Sequence, residues 1–424
     1  MGVGFFLSVS GLLLAGVPIF AALTLAVFLG IHLTDSTPLA LVIQRMFSGI
    51  DKFPLMAIPL FILSGNLMSQ GGMSVRILRV AQMLVGTLKG GMAMTTVTGS
   101  MFFGAISGSS PATVVSVGKL ILPTMDEEGY DRDFSVGLLM ASGALGIIIP
   151  PSIFMIVYGA VAGVSIGALF MAGIGAGLVY GGVFFLYCIY RAWRDDLPRR
   201  PFPGWKPFLA ALKSASWGLL IPVIILGGIY GGIFTPTEAA AVAVAYAALI
   251  GLFVYRELTP AKLWNVAVES AIVTTQVMII LAAASAFSWY LTTSGVTQQI
   301  ASNLLSIADS PLLLLAIINL IILIAGMFLD PNSIVIILVP LVIGVAQTVG
   351  IDLVHLGVIF CVNAAIGMFT PPFGMNLFVA SSLDNVNYAD AVRGALPLVG
   401  IAILALILVN LFPQISLWLP EQIL

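Results

Sequence analysis

The sequence predicts an all-α polytopic membrane protein, folded as an inverted repeat with two re-entrant hairpins and two broken helices. Three observations carry that expectation. Of 424 residues, 60% are hydrophobic and 8% charged, whereas a soluble domain carries about 25% charged residues. Apolar runs near the ~20 residues needed to cross hydrocarbon recur along the chain, without the short alternating segments of a membrane barrel. Two runs are broken in the same way, "GIIIPPSIFM" at 146–155 and "GMFTPPFGMN" at 367–376, each with Gly-x-x-x-Pro-Pro spacing.

Taken in order, the apolar segments are 3–33, 53–72, 90–106, 111–124, 134–162, 165–191, 215–234, 237–255, 271–293, 310–328, 333–350, 353–381 and 388–411. The first reads as a membrane helix, since it lacks the basic flank and cleavage site of a signal peptide. The pairs 90–106/111–124 and 310–328/333–350 are each split by a short polar turn containing proline. They read as hairpins of two half-crossings, and each follows an amphipathic arm, at 73–89 and 296–310. With hairpins counted as re-entrant, about nine crossings remain.

A polar stretch at 191–214 divides the chain and prompts a search for a repeat. Pro18 aligns with Pro236, Ser64-Gly65 with Ser294-Gly295, Pro111 with Pro331, and "ALGIIIPPS" with "AIGMFTPPF". Four matches in one order give a first repeat at 1–190, a linker at 191–214 and a second repeat at 215–424. The first holds hairpin 90–124 and broken helix 134–162; the second holds hairpin 310–350 and broken helix 353–381.

The positive-inside rule orients these elements. Arg191, Arg194, Arg199, Arg200, Lys206 and Lys213 place the linker in the cytoplasm. Counting outward from it, Arg76, Arg79, Lys89, Arg132, Arg256, Lys262 and Arg393 also fall inside. The second arm falls outside and has no Lys or Arg. Arg45 and Lys52 are the two cations that land outside. The N-terminus is then cytoplasmic and the C-terminus periplasmic, with one hairpin entering from each face.

The breaks have a chemical consequence. Pro150, Pro151, Pro371 and Pro372 lack the N–H groups that would bond the carbonyls of Gly146, Ile147, Gly367 and Met368. An unsatisfied carbonyl at membrane depth costs several kcal/mol, and a cation is one partner for it. Gly146 and Gly367 allow close approach to that backbone, and Thr370 adds a hydroxyl. Ligation by oxygen alone suits a hard ion such as sodium. At the tips, Ser110 with Pro111 and Asp330 with Pro331 are placed to start the second half-helices. Helix N-termini there favour an anion. Asp330 either caps its helix or ligates an ion. Ser109, Ser110, Thr113, Asn332, Ser333, Asn363 and Asn376 are the candidate substrate contacts. Neither tip nor break carries Lys or Arg, so an anion would depend on N–H groups, hydroxyls and co-bound cations. Each tip is expected to meet the break of its own half.

The excluded classes follow from absences in the sequence. A net charge of −2 without a basic patch argues against a nucleic-acid partner. There is no Walker motif for ATP and no Gly-x-Ser-x-Gly or comparable catalytic array, so an enzyme is not expected. Cys188 and Cys361 lie in separate apolar runs and read as small buried hydrophobes.

Several of these stretches resemble the large membrane subunit, DctM type, of tripartite ATP-independent periplasmic (TRAP) transporters. They are "FFGAISGSSPATVVSVGKLILPTM" at 102–125, "GIIIPPS" at 146–152, "GGIFTPTEAAAVA" at 231–243, "FLDPNS" at 328–333 and "GMFTPPFGMN" at 367–376. The resemblance spans essentially the whole chain. It implies an elevator-type, sodium-driven carrier of the bacterial inner membrane, taking up a carboxylate such as a C4-dicarboxylate, a sialic acid or a keto acid. It implies a separate small membrane subunit of about four helices and a periplasmic binding protein that delivers substrate. One implied sodium set is Ser107, Gly146, Ile149 and Pro151; the other is Gly326, Gly367, Thr370 and Phe373. The hairpins, broken helices and segments 165–191 and 388–411 would move against a scaffold of the remaining spans. A self-sufficient ion-coupled anion carrier, needing no binding protein, is the alternative.

Overall fold

A computed structural model describes residues 8–9, 11–13, 15–34, 38–307 and 310–423. Among them the chain is helical, with one isolated bridge between Lys89 and Arg199. Opening the chain are α1 (Ile19–Thr34), α2 (Ala40–Ile50), α3 (Ala57–Gln70, led by a 3-10 turn) and α4 (Met73–Val85). The first hairpin is α5 (Gly91–Ser107) and α6 (Ser110–Glu127). The first broken helix is α7 (Arg132–Gly143), α8 (Leu145–Ile148) and α9 (Ile153–Ala162), bent by 45° at the break. Then come α10 (Ile166–Arg194), α11 (Trp205–Tyr230), α12 (Pro236–Leu249), α13 (Pro260–Thr293) and α14 (Val296–Ile307). The second hairpin is α15 (Pro311–Gly326) and α16 (Pro331–Thr348); the second broken helix is α17 (Leu353–Gly367) and α18 (Met375–Ser381). The last two helices are α19 (Tyr388–Leu411) and α20 (Gln414–Ile423).

Helix starts follow local chemistry. Thr235 caps α12 in a full capping box with Glu238, ahead of Pro236. Thr259, Ser310, Asp352 and Asn387 accept N–H groups of the first turns of α13, α15, α17 and α19. Asp330 caps α16: its Oδ2 accepts the N–H groups of Asn332 at 3.1 Å and Ser333 at 3.2 Å, and its Oδ1 accepts the Ser333 hydroxyl. Of the two roles open to Asp330, the structure therefore displays capping.

Packing between the halves is reciprocal. Helix α1 packs on α13, and α12 on α3; α9 packs on α16, and α18 on α6; α10 packs on α17, and α19 on α7. These three contacts of the first half with the second thus each have a counterpart with the roles exchanged. The core lies where hairpins and breaks meet: α16 is 61% buried and α10 56%, against 28% for α11 and α13.

Basic loops gather at one end. Arg76 pairs with Glu257, Lys89 with Asp196, Arg132 with Asp126, Arg200 with Glu128, and Arg393 with Asp133. Arg132 also donates to the carbonyls of Asp384 and Asn385. Every residue in this network belongs to loops that the charge rule groups on one side. Lys52 instead donates to the Ala160 carbonyl, beyond the break in the first broken helix.

Three expectations need correction. The run 3–33 is not one helix: Gly16, at φ +78, and Pro18 interrupt it, and α1 starts at Ile19. Helix α2 falls between the apolar segments read from the sequence. Among the described residues seven helices are long and apolar enough to cross a membrane, or eight if the bent pair counts as one span. The seven include α16, half of the second hairpin, whereas the expected nine counted 3–33, the bent pair and 353–381 as crossings; a turn and a seven-residue break (368–374) shorten the helices of 3–33 and 353–381.

Candidate functional site

The first tip meets the first break. Gly108, at φ +61, turns the chain between α5 and α6, and a Cβ there would lie 2.7 Å from the Pro151 carbonyl oxygen. A Cβ on Gly146 would lie 2.6 Å from both the Ser109 carbonyl oxygen and Thr113 Oγ1. That space is closed to any side chain, so backbone and hydroxyl oxygens converge on Gly146. Thr113 Oγ1 donates to the Ser109 carbonyl at 2.7 Å and lies 3.1 Å from Ser107 Oγ.

Of the four carbonyls freed by proline, three find protein donors. Ile147 accepts the Ser152 hydroxyl at 2.5 Å and the Cys361 thiol at 3.0 Å. Met368 accepts the Asn376 N–H at 2.7 Å, and Gly367 the Thr370 N–H at 3.2 Å. Gly146 differs: Pro150 has no N–H to give it, and the Ile149 N–H goes to Leu145. The first break therefore leaves the Gly146 carbonyl oxygen without a helical donor, on a residue packed against the Ser109 carbonyl and the Thr113 hydroxyl.

The second tip meets the second break through glycines. A Cβ on Gly367 would lie 2.6 Å from the Gly326 Cα and 2.9 Å from its carbonyl oxygen. The Thr370 hydroxyl donates to Ile366 at 2.7 Å, which leaves its oxygen lone pairs for another partner. Tyr388 of α19 donates to the Pro372 carbonyl. Phe373 is 56% exposed, with its ring centroid 5.7 Å from that of Phe328. Any role for position 373 in holding an ion falls to its backbone. The Ile149 side chain points away from the tip, toward Gly177 of α10.

Between both tips and both breaks lies a cavity of about 500 Å³. Ser109, Ser110 and Pro111 line it from the first tip, and Asp330, Pro331 and Asn332 from the second. Ile147, Ile153 and Met368 contribute from the breaks, and residues 273–280 of α13 form a wall. Of the seven substrate candidates, Ser109, Ser110 and Asn332 face this space. Thr113, Ser333, Asn363 and Asn376 are buried outside its lining. Asn376 Nδ2 donates to Ser110 Oγ at 2.8 Å and to the Met140 carbonyl at 3.0 Å, tying the second break to the first half. Ser110 is thus a cross-repeat anchor, and its expected capping role is not seen. The N-cap of α6 is Ser109, whose side chain makes no capping bond. Asn363 donates to Asn319, which donates to Asn410, in a chain of amides across α17, α15 and α19.

Gln276, on the α13 wall, is the residue that sequence reasoning missed. An amide within the apolar segment 271–293 was the available signal.

A family profile for the Tripartite ATP-independent periplasmic transporter, DctM component, matches residues 6–415. The chain belongs to the DctM family. It is 42% identical to the C4-dicarboxylate TRAP transporter large permease protein DctM of Vibrio cholerae, over 99% of this chain and 97% of that one. It is 38% identical to the sialic acid TRAP transporter large permease protein SiaM of the same organism, over 98% and 97%. Its fold is similar to that of the Alcanivorax borkumensis YdaH transporter, with a TM-score of 0.63 at 13% identity, covering 88% of this chain and 87% of that one. The DctM-family chain is thus a multi-pass large permease subunit of a TRAP transporter, and not an enzyme.

Proposed function

We propose that this DctM-family permease drives uptake of a small organic anion with a sodium gradient, binding the anion between the two hairpin tips. The single observation that carries the reading is the cavity itself. Two helix N-termini and the serine and asparagine groups of the tips face it, and the two oxygen-rich breaks flank it. Sodium is cargo in this scheme. At one site it would take oxygens from Ser107, Gly146, Ile149 and Pro151; at the other, from Gly326, Gly367, Thr370 and Phe373. The Gly146 carbonyl without a helical donor and the free lone pairs of Thr370 support those placements. The lining has no Lys or Arg, so at least two bound cations would offset the anion's charge across the tips.

The reciprocal packing of the halves supports an inverted repeat with hairpins entering from opposite faces. The gathered basic network supports a cytoplasmic N-terminus and a periplasmic C-terminus, in the inner membrane. An elevator motion would carry the hairpins, breaks, α10 and α19 past a scaffold that includes α11, α12 and α13. The relatives' names favour a carboxylate substrate. The family's tripartite name supports a small membrane subunit, expected as a separate chain, and a periplasmic binding protein as partners. The test is uptake of a carboxylate panel into proteoliposomes holding both membrane subunits, with and without a sodium gradient and the cognate binding protein. Sodium-dependent uptake of one carboxylate is expected only with the binding protein. Uptake by the lone permease would favour the self-sufficient carrier, and uptake indifferent to sodium would remove the coupling.

A further inference from the structure

Outward of the central cavity lies a second one of about 430 Å³. The same three helices line both. Helix α13 gives residues 273–280 to the central cavity and Leu281, Ser285, Ser288 and Trp289 to the second. Helix α16 gives Asp330 and Asn332 to the first, Ile336 and Pro340 to the second. Helix α9 gives Ile153 and Phe154, then Ala160 and Val161. At 1.5 Å per residue, Gln276 and Ser288 stand ~18 Å apart along α13. The second cavity is therefore stacked on the first, toward the end opposite the gathered basic loops.

Its walls hold Arg45 and Lys52, the two cations that the positive-inside rule leaves on the outer side. The Arg45 guanidinium sits 5.5 Å from the Trp289 ring centroid. The Lys52 ammonium donates to the Ala160 carbonyl at 3.3 Å. Among the described residues neither forms an ion pair with a carboxylate, unlike Arg76, Lys89, Arg132, Arg200 and Arg393. Ser48, Ser285 and Ser288 add hydroxyl donors. The central cavity has the opposite character, with Asp330 and no cation. Two exposed cations that line one cleft, without a carboxylate partner among the described residues, raise the local concentration of anions.

We propose that Arg45 and Lys52 form an outer anion site that holds a small carboxylate before it reaches the hairpin tips. The site rests on the anion-uptake reading and on the orientation given above. A lipid phosphate shares the chemistry, so the test separates the two sources. Ser288→Cys provides a reporter, because native Cys188 and Cys361 are both 0% exposed. The full chain in phosphatidylcholine nanodiscs is labelled with sulfonatoethyl and trimethylammonioethyl methanethiosulfonate. The anionic-to-cationic rate ratio should fall about tenfold on adding Arg45→Gln and Lys52→Gln, and survive Arg45→Lys. Salt that shortens the Debye length from ~10 to ~3 Å should flatten it. Succinate should slow the anionic reagent several-fold, and only while both cations are present.

An unchanged ratio in the double variant would overturn the site. So would charge-dependent labelling that succinate leaves untouched: protection by added phosphatidylglycerol would then assign the cations to a headgroup, and its absence to a docking protein. The readout needs no transport. Failure of the uptake panel would therefore sink the functional reading without deciding this one.

Discussion

Thr370 and Gly367 show how single atoms shape the second break. The Thr370 hydroxyl spends its proton on the Ile366 carbonyl, 2.7 Å away, so the oxygen it offers outward is an acceptor. If it ligates sodium, Thr370→Ala should cost about 1–2 kcal/mol, roughly a 5- to 30-fold rise in the sodium concentration for half-maximal uptake. An unchanged sodium curve would remove Thr370 from the site. Gly367 is a steric matter: a Cβ there would meet the Gly326 backbone at 2.6 Å. Backbone yields less readily than a side chain, so Gly367→Ala should destabilise the protein by about 1–3 kcal/mol. Gly400→Ala, where a Cβ would meet nothing within 4 Å, should leave the thermal midpoint in detergent near wild type. Equal midpoints for both variants would refute the close approach.

At the scale of elements, one buried hydrogen-bonded pair joins a hairpin of the first half to the break of the second, Ser110 on α6 and Asn376 on α18. Ser110→Ala and Asn376→Ala should each destabilise the fold, Asn376→Ala more, because it also removes a second hydrogen bond, to the Met140 carbonyl. A double-mutant cycle on unfolding free energies should return about 1 kcal/mol of coupling; additive effects would mean the pair is incidental. Helix ends also carry the orientation. Trp205 opens α11 within the basic linker and is 71% exposed, whereas Ser302 is exposed on α14. An impermeant thiol reagent added outside should label Ser302→Cys and not Trp205→Cys. Labelling of both from one side would end the inverted arrangement.

For the whole molecule, the reciprocal contacts imply that hairpins, breaks, α10 and α19 form one packed body. Its apolar surfaces are satisfied mostly within itself, while α11 and α13 expose theirs to lipid or a partner. If the proposed sodium coupling holds, uptake should collapse when an ionophore dissipates the sodium gradient, even with ATP supplied. Persistence of uptake under those conditions would require another energy source.

Much of this was legible in one dimension. Fold class, the helix pairs at both tips and both breaks follow from local physics, because hydropathy, proline and cap residues act on their own neighbourhoods. Capping by Asp330 was readable, as one of two roles, for that reason. Partnerships between distant residues were not. Asn376 was read from the sequence as a candidate substrate contact, yet it hydrogen-bonds Ser110, 266 residues away. No local rule separates a serine that caps from one that anchors. Which freed carbonyl stays without a helical donor was equally hidden, since the donors at Ile147 and Met368 come from folding back on Ser152, Cys361 and Asn376. The sequence by itself determined where the helices had to break. Only the tertiary structure decided that the breaks and tips enclose one cavity, with Gln276 in its wall and a second cavity holding Arg45 and Lys52 stacked on it. Backbone interruptions are encoded residue by residue, whereas a cavity exists only once separate segments pack.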